Sequence, residues 1–392
     1  MSDESYQAID LRIKKVRGFS LSSPYGSGKV LGQSAGLKSI GFIEVTTESG
    51  LTGIGETYAG VYAPELVQPV AEFLAEFVIG RTVGDDNIIS SLAEIPFIGR
   101  NGLLRSVASA IDIALWDLRG KVLGLPIHKL LGLQHHEEVG VYASSGSAAL
   151  SPKEIEEDVK TILSQGHTAY KMRVGYQDWA TDLRRVDAAR RNLGAADLMV
   201  DAIMGTLRPS WDAATAISRA SDLEQYGLRW LEEPVAPDDI AGLAEVRQRC
   251  RIPIAAGEAY SGSSEYRTLL DASAVDVLQF DATHSGGISA CLSLGAEAKI
   301  RKLDSAVHVW GSAAAISANA SLALACQAVS VLEIPMVYLE ITEKMWIEPP
   351  SIISGVYRPS QSPGLGVELP DSLKNDYKLV PSSGYRLPKV GG

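Results

Sequence analysis

Cysteine is scarce in this chain of 392 residues: Cys250, Cys291 and Cys326 are the whole supply. An odd number without metal-type spacing excludes a disulfide framework and argues against zinc. Each thiol falls in or beside a helical pattern, as expected of reduced residues in a cytoplasmic protein. Basic charge is also short. Lysine and arginine total 36 against 47 acidic residues, a formal net charge of −11. A surface that acidic argues against nucleic acid or an anionic membrane as partner, while leaving room for a local basic pocket. Residues 1–15 are polar and mixed in charge with no apolar centre, so no signal peptide is expected. One stretch, residues 309–332, lacks charge altogether and is long enough to span a bilayer. It is rich in Ala and Ser and carries Asn319 and Gln327, which fits a small-residue helix on a sheet, running into a short strand. The string Tyr25-Gly26-Ser27-Gly28-Lys29 is too short for a phosphate-binding loop and lacks a strand-to-helix frame. It reads as a mobile lid loop.

What is present is a large apolar fraction, 46%, and a repeated pattern. The length suits a large barrel plus a smaller domain. Short apolar runs at residues 139–144, 169–174, 198–202, 228–233, 252–258, 275–281, 305–310 and 329–334 alternate with segments of helical period. Trp179, Leu183 and Val186 show that period, as do Ala213, Ile217, Ala220 and Leu223, and Ile240, Leu243 and Val246. Ser151-Pro152 with Glu154 marks a helix start, and Ser285-Gly286-Gly287 a flexible turn into another. The pattern predicts a parallel β/α barrel over residues 138–348. Residues 1–137 read differently: strands at 40–46 and 51–56 flank Glu48-Ser49-Gly50, and helices follow at 63–77 and 103–123. This is an α+β layer. The tail, 349–392, is rich in Pro, Gly and Ser, shows no barrel element, and is expected to return to that layer.

In such a barrel the C-terminal strand ends carry the chemistry. The residues there are Lys171 and Arg173, Asp201, Glu232, Glu258, Asp281, His308 and Glu333. Lys171 and Arg173 are two apart, so both face inward. Each has a bland reading alone. A strand-end Asp is usually a helix cap, Glu232-Glu233 before Pro234 a solvated turn, a lone Lys a surface residue and a lone His structural. Those readings would have to hold together on seven successive strands. Three carboxylates on successive strands repel one another unless a divalent cation sits between them. Hard oxygen donors point to Mg²⁺. The other histidines, His128, His135, His136, His167 and His284, lack such a context; only His284 falls near the mouth.

Ordered strings then match a known family. Residues 109–118 (Ser-Ala-Ile-Asp-Ile-Ala-Leu-Trp-Asp-Leu), Leu123-Gly124-Leu125-Pro126, Leu130-Leu131-Gly132, Leu231-Glu232-Glu233-Pro234, Ala256-Gly257-Glu258, Gly286-Gly287 and Pro363-Gly364-Leu365-Gly366-Val367-Glu368 occur in sequence. Over nearly its whole length the chain resembles the mandelate racemase and muconate-lactonizing branch of the enolase superfamily. The resemblance implies a modified TIM barrel, (β/α)7β, under an α+β capping domain. It implies Mg²⁺ held by Asp201, Glu232 and Glu258; Glu233 is expected outside the metal shell because its side chain alternates to the other face. It implies an Asp281–His308 dyad facing a Lys-x-Lys motif, matched by Lys171 and Arg173, and a strand-eight acid at Glu333 rather than Glu340. A homo-oligomer is expected on the same ground.

Arg173 departs from the pattern, because arginine stays protonated at neutral pH and is a poor base. Lys171 is then the group expected to lose a proton on that face, helped by Arg173, and Glu333 the group expected to donate a hydrogen bond while protonated. A smaller departure is Ile203, where a polar residue is common in relatives. Abstraction of a proton beside a carboxylate, followed by loss of water from a polyhydroxy acid, is the favoured reaction: a sugar-acid dehydratase. Epimerase or racemase and cycloisomerase are the alternatives, and a non-catalytic sugar-acid-binding relative is the reading from another class. Loops near Tyr25, Tyr58 and Arg100 are expected to set specificity.

Overall fold

The computed structural model describes residues 10–26, 36–132 and 136–386. The N-terminal part is an antiparallel sheet of β1 (Ile13–Pro24), β2 (Leu37–Thr47) and β3 (Thr52–Thr57), against which the long helix Gly102–Leu123 packs. The sequence reading missed β1. Lys14 and Lys15 are both exposed across a register shift, which breaks the two-residue alternation that marks a strand. The expected helix at 63–77 is a short 3-10 turn, Pro64–Leu66, followed by Val67–Ala75.

Eight strands follow: β4 (Val139–Ser144), β5 (Ala169–Arg173), β6 (Asp197–Asp201), β7 (Leu231–Glu232), β8 (Ile254–Ala256), β9 (Val277–Phe280), β10 (Asp304–Val307) and β11 (Val329–Pro335). Each pairs in parallel with the next, and β11 closes on β4 through Leu332↔Val141 and Ile334↔Ala143. Seven helices, from Pro152–Ser164 to Ala313–Ala325, separate them. This is the expected modified TIM barrel under an antiparallel cap. Strands buried on both faces are mostly apolar, with the charged residues toward their ends, which made them legible. At the predicted start of the first of these helices, the Ser151 hydroxyl accepts from the Glu154 N–H at 3.3 Å and Glu154 Oε2 accepts from the Ser151 N–H at 2.8 Å. Such a capping box contributes about 1 kcal/mol.

A single interior layer fills the barrel, one residue from each strand or its edge: Tyr142, Ala169, Met199, Trp230, Ala255, Val277, Ala306 and Val331. Large and small side chains are mixed around it, and Tyr142 meets Trp230 edge-on at 5.3 Å. Side chains two residues further along each strand point the same way, one level higher. That level holds Ser144, Lys171, Asp201, Glu232, Gly257, Gln279, His308 and Glu333. The packed layer therefore seals the barrel from below and presents the charged residues at its C-terminal end.

The uncharged stretch 309–332 forms the buried helix Ala313–Ala325 and the start of β11. Among the described residues no helix is long and apolar enough to cross a membrane. The tail corrects one expectation, because it does add to the barrel. Ser354 and Gly355 both take positive φ, +52° and +74°, and turn β12 (Ser351–Ile353) into β13 (Val356–Arg358). β4 pairs with β5 only at Ala143 and Ser144, so its free lower end takes β13 at Val139 and Gly140. Beyond that hairpin the chain crosses to the first sheet, where the Ser22 N–H donates to the Tyr377 carbonyl at 2.9 Å.

Candidate active site

A cavity opens above the barrel level. Arg173, Asp201, Glu258 and His308 line its floor; Lys171, Glu232, Asp281 and Glu333 lie buried beneath and beside them. The structure thus brings together all eight predicted site residues. Glu340 lies elsewhere, bound to Lys344 at 2.7 Å and to the Tyr377 hydroxyl at 2.8 Å. Tyr25 and Tyr58 line the cavity as expected of the loops that carry them, whereas Arg100 is exposed and does not. Ser27, Gly28 and Lys29 of the glycine-rich string, and His135, lie outside the described residues.

Lys171 is the hub of the floor. Its Nζ donates to Glu232 Oε1 at 2.6 Å, pairs with Glu333 Oε1 at 3.0 Å and lies 3.8 Å from Asp201 Oδ2. The other Glu232 oxygen accepts from Trp230 Nε1 at 2.9 Å. Burial pushes the Lys171 ammonium down, but the Glu232 and Glu333 carboxylates outweigh that and hold it well above the ordinary lysine range. In this arrangement Lys171 is held as an ammonium, where the sequence reading expected it to give up a proton readily. Burial raises Glu333, yet the Lys171 and His308 charges bring it down to about 2. Glu333 is therefore an ionised acceptor here, with Oε2 taking the Val309 N–H at 3.1 Å, not the protonated donor anticipated. Arg173 donates to the Ser145 carbonyl at 2.7 Å and to Ser144 Oγ at 3.0 Å, which fixes its plane at the cavity edge.

His308 and Asp281 form the expected pair, with Nδ1 to Oδ2 at 2.9 Å. The other Asp281 oxygen accepts from the Thr283 N–H, the Thr283 hydroxyl and Asn319 Nδ2, each at 2.8 Å. Burial raises Asp281, but those donors and His308 leave it below the ordinary carboxylate range. An anion held this way accepts a hydrogen bond from Nδ1–H and leaves Nε2 toward the cavity. His308 Nε2 stands 3.3 Å from Glu258 Oε2 and 3.9 Å from Glu333 Oε2. Burial lowers the imidazole, and those two carboxylates more than reverse this, to about 10.

The carboxylates Asp201, Glu232 and Glu258 are hard donors on adjacent strands. Asp201 is pushed up to about 8, first by burial and then by Glu232. Burial likewise raises Glu258. Gly257 turns the chain toward Glu258 at φ +142°, where a Cβ would lie 2.0 Å from the Gln279 carbonyl oxygen. Buried, mutually repelling oxygens of this kind fit a divalent cation by their chemistry. By placement they are not assembled: among the described residues no three His, Cys, Asp or Glu side chains form a metal-holding group. Each Glu232 oxygen takes one donor, from Lys171 and from Trp230, so the ammonium stands in as the cation of the floor while each oxygen keeps a second lone pair. Glu233 is no solvated turn. It is buried at φ +44°, and burial and the charges of Glu258 and Asp201 hold its carboxyl well above the ordinary range.

The sequence reading missed the upper wall. Tyr62, Trp310 and Tyr385 join Tyr25 and Tyr58 around the cavity, with Thr206 among its polar contributors. Trp310 lies two residues past His308, so strand alternation was a signal for it; Tyr385 had none. Behind Trp310 sits a buried pair from the cap. Lys38 Nζ donates to the Trp310 carbonyl at 2.6 Å and lies 4.2 Å from the indole centre. Glu56 accepts from the Ser312 hydroxyl at 2.6 Å, the Ser312 N–H at 3.0 Å and the Ala315 N–H at 3.1 Å, capping helix Ala313–Ala325. The segment that carries His308 into this helix is thereby tied to the first sheet.

A family model described as enolase C-terminal domain-like matches residues 154–373, and one described as mandelate racemase / muconate lactonizing enzyme, N-terminal domain, matches residues 30–132. The chain is 34% identical over 281 residues to the L-talarate/galactarate dehydratase of Salmonella typhimurium, covering 70% of this chain and 69% of that protein. It is 29% identical over 293 residues to the D-galactarolactone cycloisomerase of Agrobacterium fabrum, covering 72% of this chain and 76% of that protein. The crystal structure of a racemase from Streptomyces coelicolor A3(2) with bound magnesium superposes with a TM-score of 0.82 at 26% identity, covering 93% of this chain and 99% of that one.

Proposed function

Because this chain belongs to the mandelate racemase and muconate lactonizing enzyme family of the enolase superfamily, we propose that it is a sugar-acid dehydratase that removes the proton beside a carboxylate and expels a β-hydroxyl as water. One observation carries the choice of reaction: with Asp201, Glu232 and Glu258 taken as cation ligands, His308 is the group among the described residues of the floor best placed to exchange a proton with a substrate. Arg173 stays protonated, and Lys171 is locked as a cation between Glu232 and Glu333. Racemisation needs a competent base on each face of the α-carbon. Elimination needs one, provided the same group can give back what it takes.

His308 meets that need. Nε2 takes the α-proton, and Asp281 steadies the imidazolium that forms. Electron density flows from the α-carbon to expel the β-oxygen, Nε2–H protonates it, and water leaves. The resulting enol tautomerises to a 2-keto-3-deoxy acid. Glu258 is the charge that lifts His308 most, so a cation held by Glu258 would lower the imidazole toward the range in which Nε2 accepts a proton. Asp201, Glu232 and Glu258 would hold Mg²⁺, which when bound supplies Lewis-acid stabilisation of the negative charge on the substrate carboxylate. Arg173, at the cavity edge, orients that carboxylate, and Lys171 beneath adds positive potential. The dehydratase relative supports this reading. The cycloisomerase relative is compatible with the same elimination step, with a tethered ring oxygen as leaving group.

The test is a stereochemical library of aldonic and aldaric acids, incubated with the protein and Mg²⁺ in deuterated buffer. A 2-keto-3-deoxy acid is the expected product. Inverted, α-deuterated substrate with no keto acid would replace this reading with an epimerase, and a ring-opened isomer with no water lost would replace it with a cycloisomerase.

A further inference from the structure

The upper wall is made of five aromatic rings from distant parts of the chain. Tyr58 meets Tyr62 at 5.3 Å and Trp310 at 6.0 Å; Tyr385 meets Tyr62 and Trp310, each at 5.5 Å; the Trp310 indole N–H donates to the Tyr25 hydroxyl at 3.0 Å. These are edge contacts, which brace the rings against one another. Tyr385 is the unexpected member, because the C-terminal segment delivers it. That segment is tied down at each step. The Ser382 N–H donates to Glu65 Oε1 at 2.8 Å. The buried Ser383 hydroxyl meets those of Ser39 and Ser22 at 2.6 and 2.9 Å. Gly384 lies so close to the cap that a Cβ would sit 2.6 Å from the Tyr62 carbonyl oxygen. The Tyr385 N–H then donates to the Val61 carbonyl at 2.7 Å, and its hydroxyl comes near Thr206, beyond β6, on the same cavity. Tyr385 thus touches the cap, the loop after β10 and the loop after β6 at once, with its ring on the cavity.

We propose that the C-terminal segment is part of the substrate-binding wall and that Tyr385 is a specificity-determining residue, reading the carbons beyond the reacting pair. An aromatic wall opposite a charged floor suits a ligand with two unlike ends. The carboxylate and reacting carbons belong on the floor. The remaining carbons lay a C–H face against the rings, where apolar contact and ring polarisation favour them. The ligand class is a sugar acid with several carbons past the reacting centre, in chain or ring form. This rests on the reading of the cavity as a sugar-acid site, but binding and turnover test the two separately.

Dissociation constants are measured by calorimetry for a panel of hexonic acids and for glyceric acid, with Mg²⁺ present, in the His308→Asn background. Tyr385→Ala should weaken the tightest hexonate by roughly tenfold, equivalent to about 1.4 kcal/mol, and leave glycerate within about twofold. Tyr385→Phe keeps the ring and loses only the hydroxyl contact to Thr206, so hexonate affinity should stay within about threefold. A residue that merely braces the fold would shift hexonate and glycerate together. Equal loss for both acids, loss for neither, or no hexonate binding at all overturns the proposal. Hexonates that bind in this size-dependent way yet yield no keto acid with the unmodified protein sink the dehydratase reading and leave the wall intact.

Discussion

The floor and the upper wall of the cavity are built by opposite kinds of chain. Lys171, Asp201, Glu232, His308 and Glu333 each stand two residues beyond an interior layer residue on their own strand. Their convergence follows from barrel closure alone. Tyr25, Tyr58, Trp310 and Tyr385 share no period, and they meet because a hairpin, a helix entry, a barrel loop and a tail happen to close over one space. The floor is charged, largely buried and bound by ion pairs, so it tolerates little change. The wall is held by edge contacts between rings, each worth about 1 kcal/mol, so it can be retuned one ring at a time. Chemistry sits where sequence period enforces it, and specificity where it does not.

Three changes on the floor should exceed the loss from altering a ring, and a fourth should fall just below it, in descending order. His308→Asn removes the proposed proton-transfer group while keeping a hydrogen bond toward Asp281. Turnover should fall at least about a thousandfold with Mg²⁺ binding retained; a loss under tenfold would show that the proton moves through another residue. Lys171→Met strips Glu232 and Glu333 of their shared cation. Stability in metal-free buffer should drop by about 3–5 kcal/mol, read from urea midpoints, and Mg²⁺ should recover part of it. An unchanged midpoint would contradict the hub role of the ammonium. Chelation comes next: excess Mg²⁺ at about a hundred times its dissociation constant should stabilise the native protein by about 2.7 kcal/mol over EDTA. Identical unfolding curves with and without the ion would mean that the three carboxylates hold no metal. Arg173→Lys exchanges a fixed planar fork for a point charge and loses a contact to Ser144 or Ser145. KM should rise about fivefold, near 1 kcal/mol, with keto acid still the product. If inversion at the α-carbon becomes the main reaction of the unmodified protein, the one-base reading fails.

The sequence made the barrel readable because each strand is an apolar run between amphipathic segments, and it made the floor readable for the same reason. It left Lys171 and Glu333 half understood. Type and position were plain, but the charge state depends on a contact of 2.6 Å between Lys171 and Glu232, which no spacing encodes. It also hid β1, where adjacent lysines break alternation, and the annexed hairpin after Pro349, whose partner is the unpaired lower end of β4. Tyr385 lay at the far limit of this difficulty. Its place depends on Ser383, Gly384 and Val61 meeting across more than three hundred residues of chain.

Glu56 gives the two layers a shared fate. Its carboxylate belongs to the first sheet, yet it caps the helix that begins five residues after His308. A cap exchanged for that of a relative, as a route to new substrates, would have to bring an acid to the same point. Without one, the graft would leave three donors at the start of that helix unmet, and the loop bearing the histidine would lose its anchor. Modular recombination of cap and barrel therefore has a compatibility rule written in one residue, and a library of chimeras sorted by the presence of that acid should divide into folded and unfolded members along the same line.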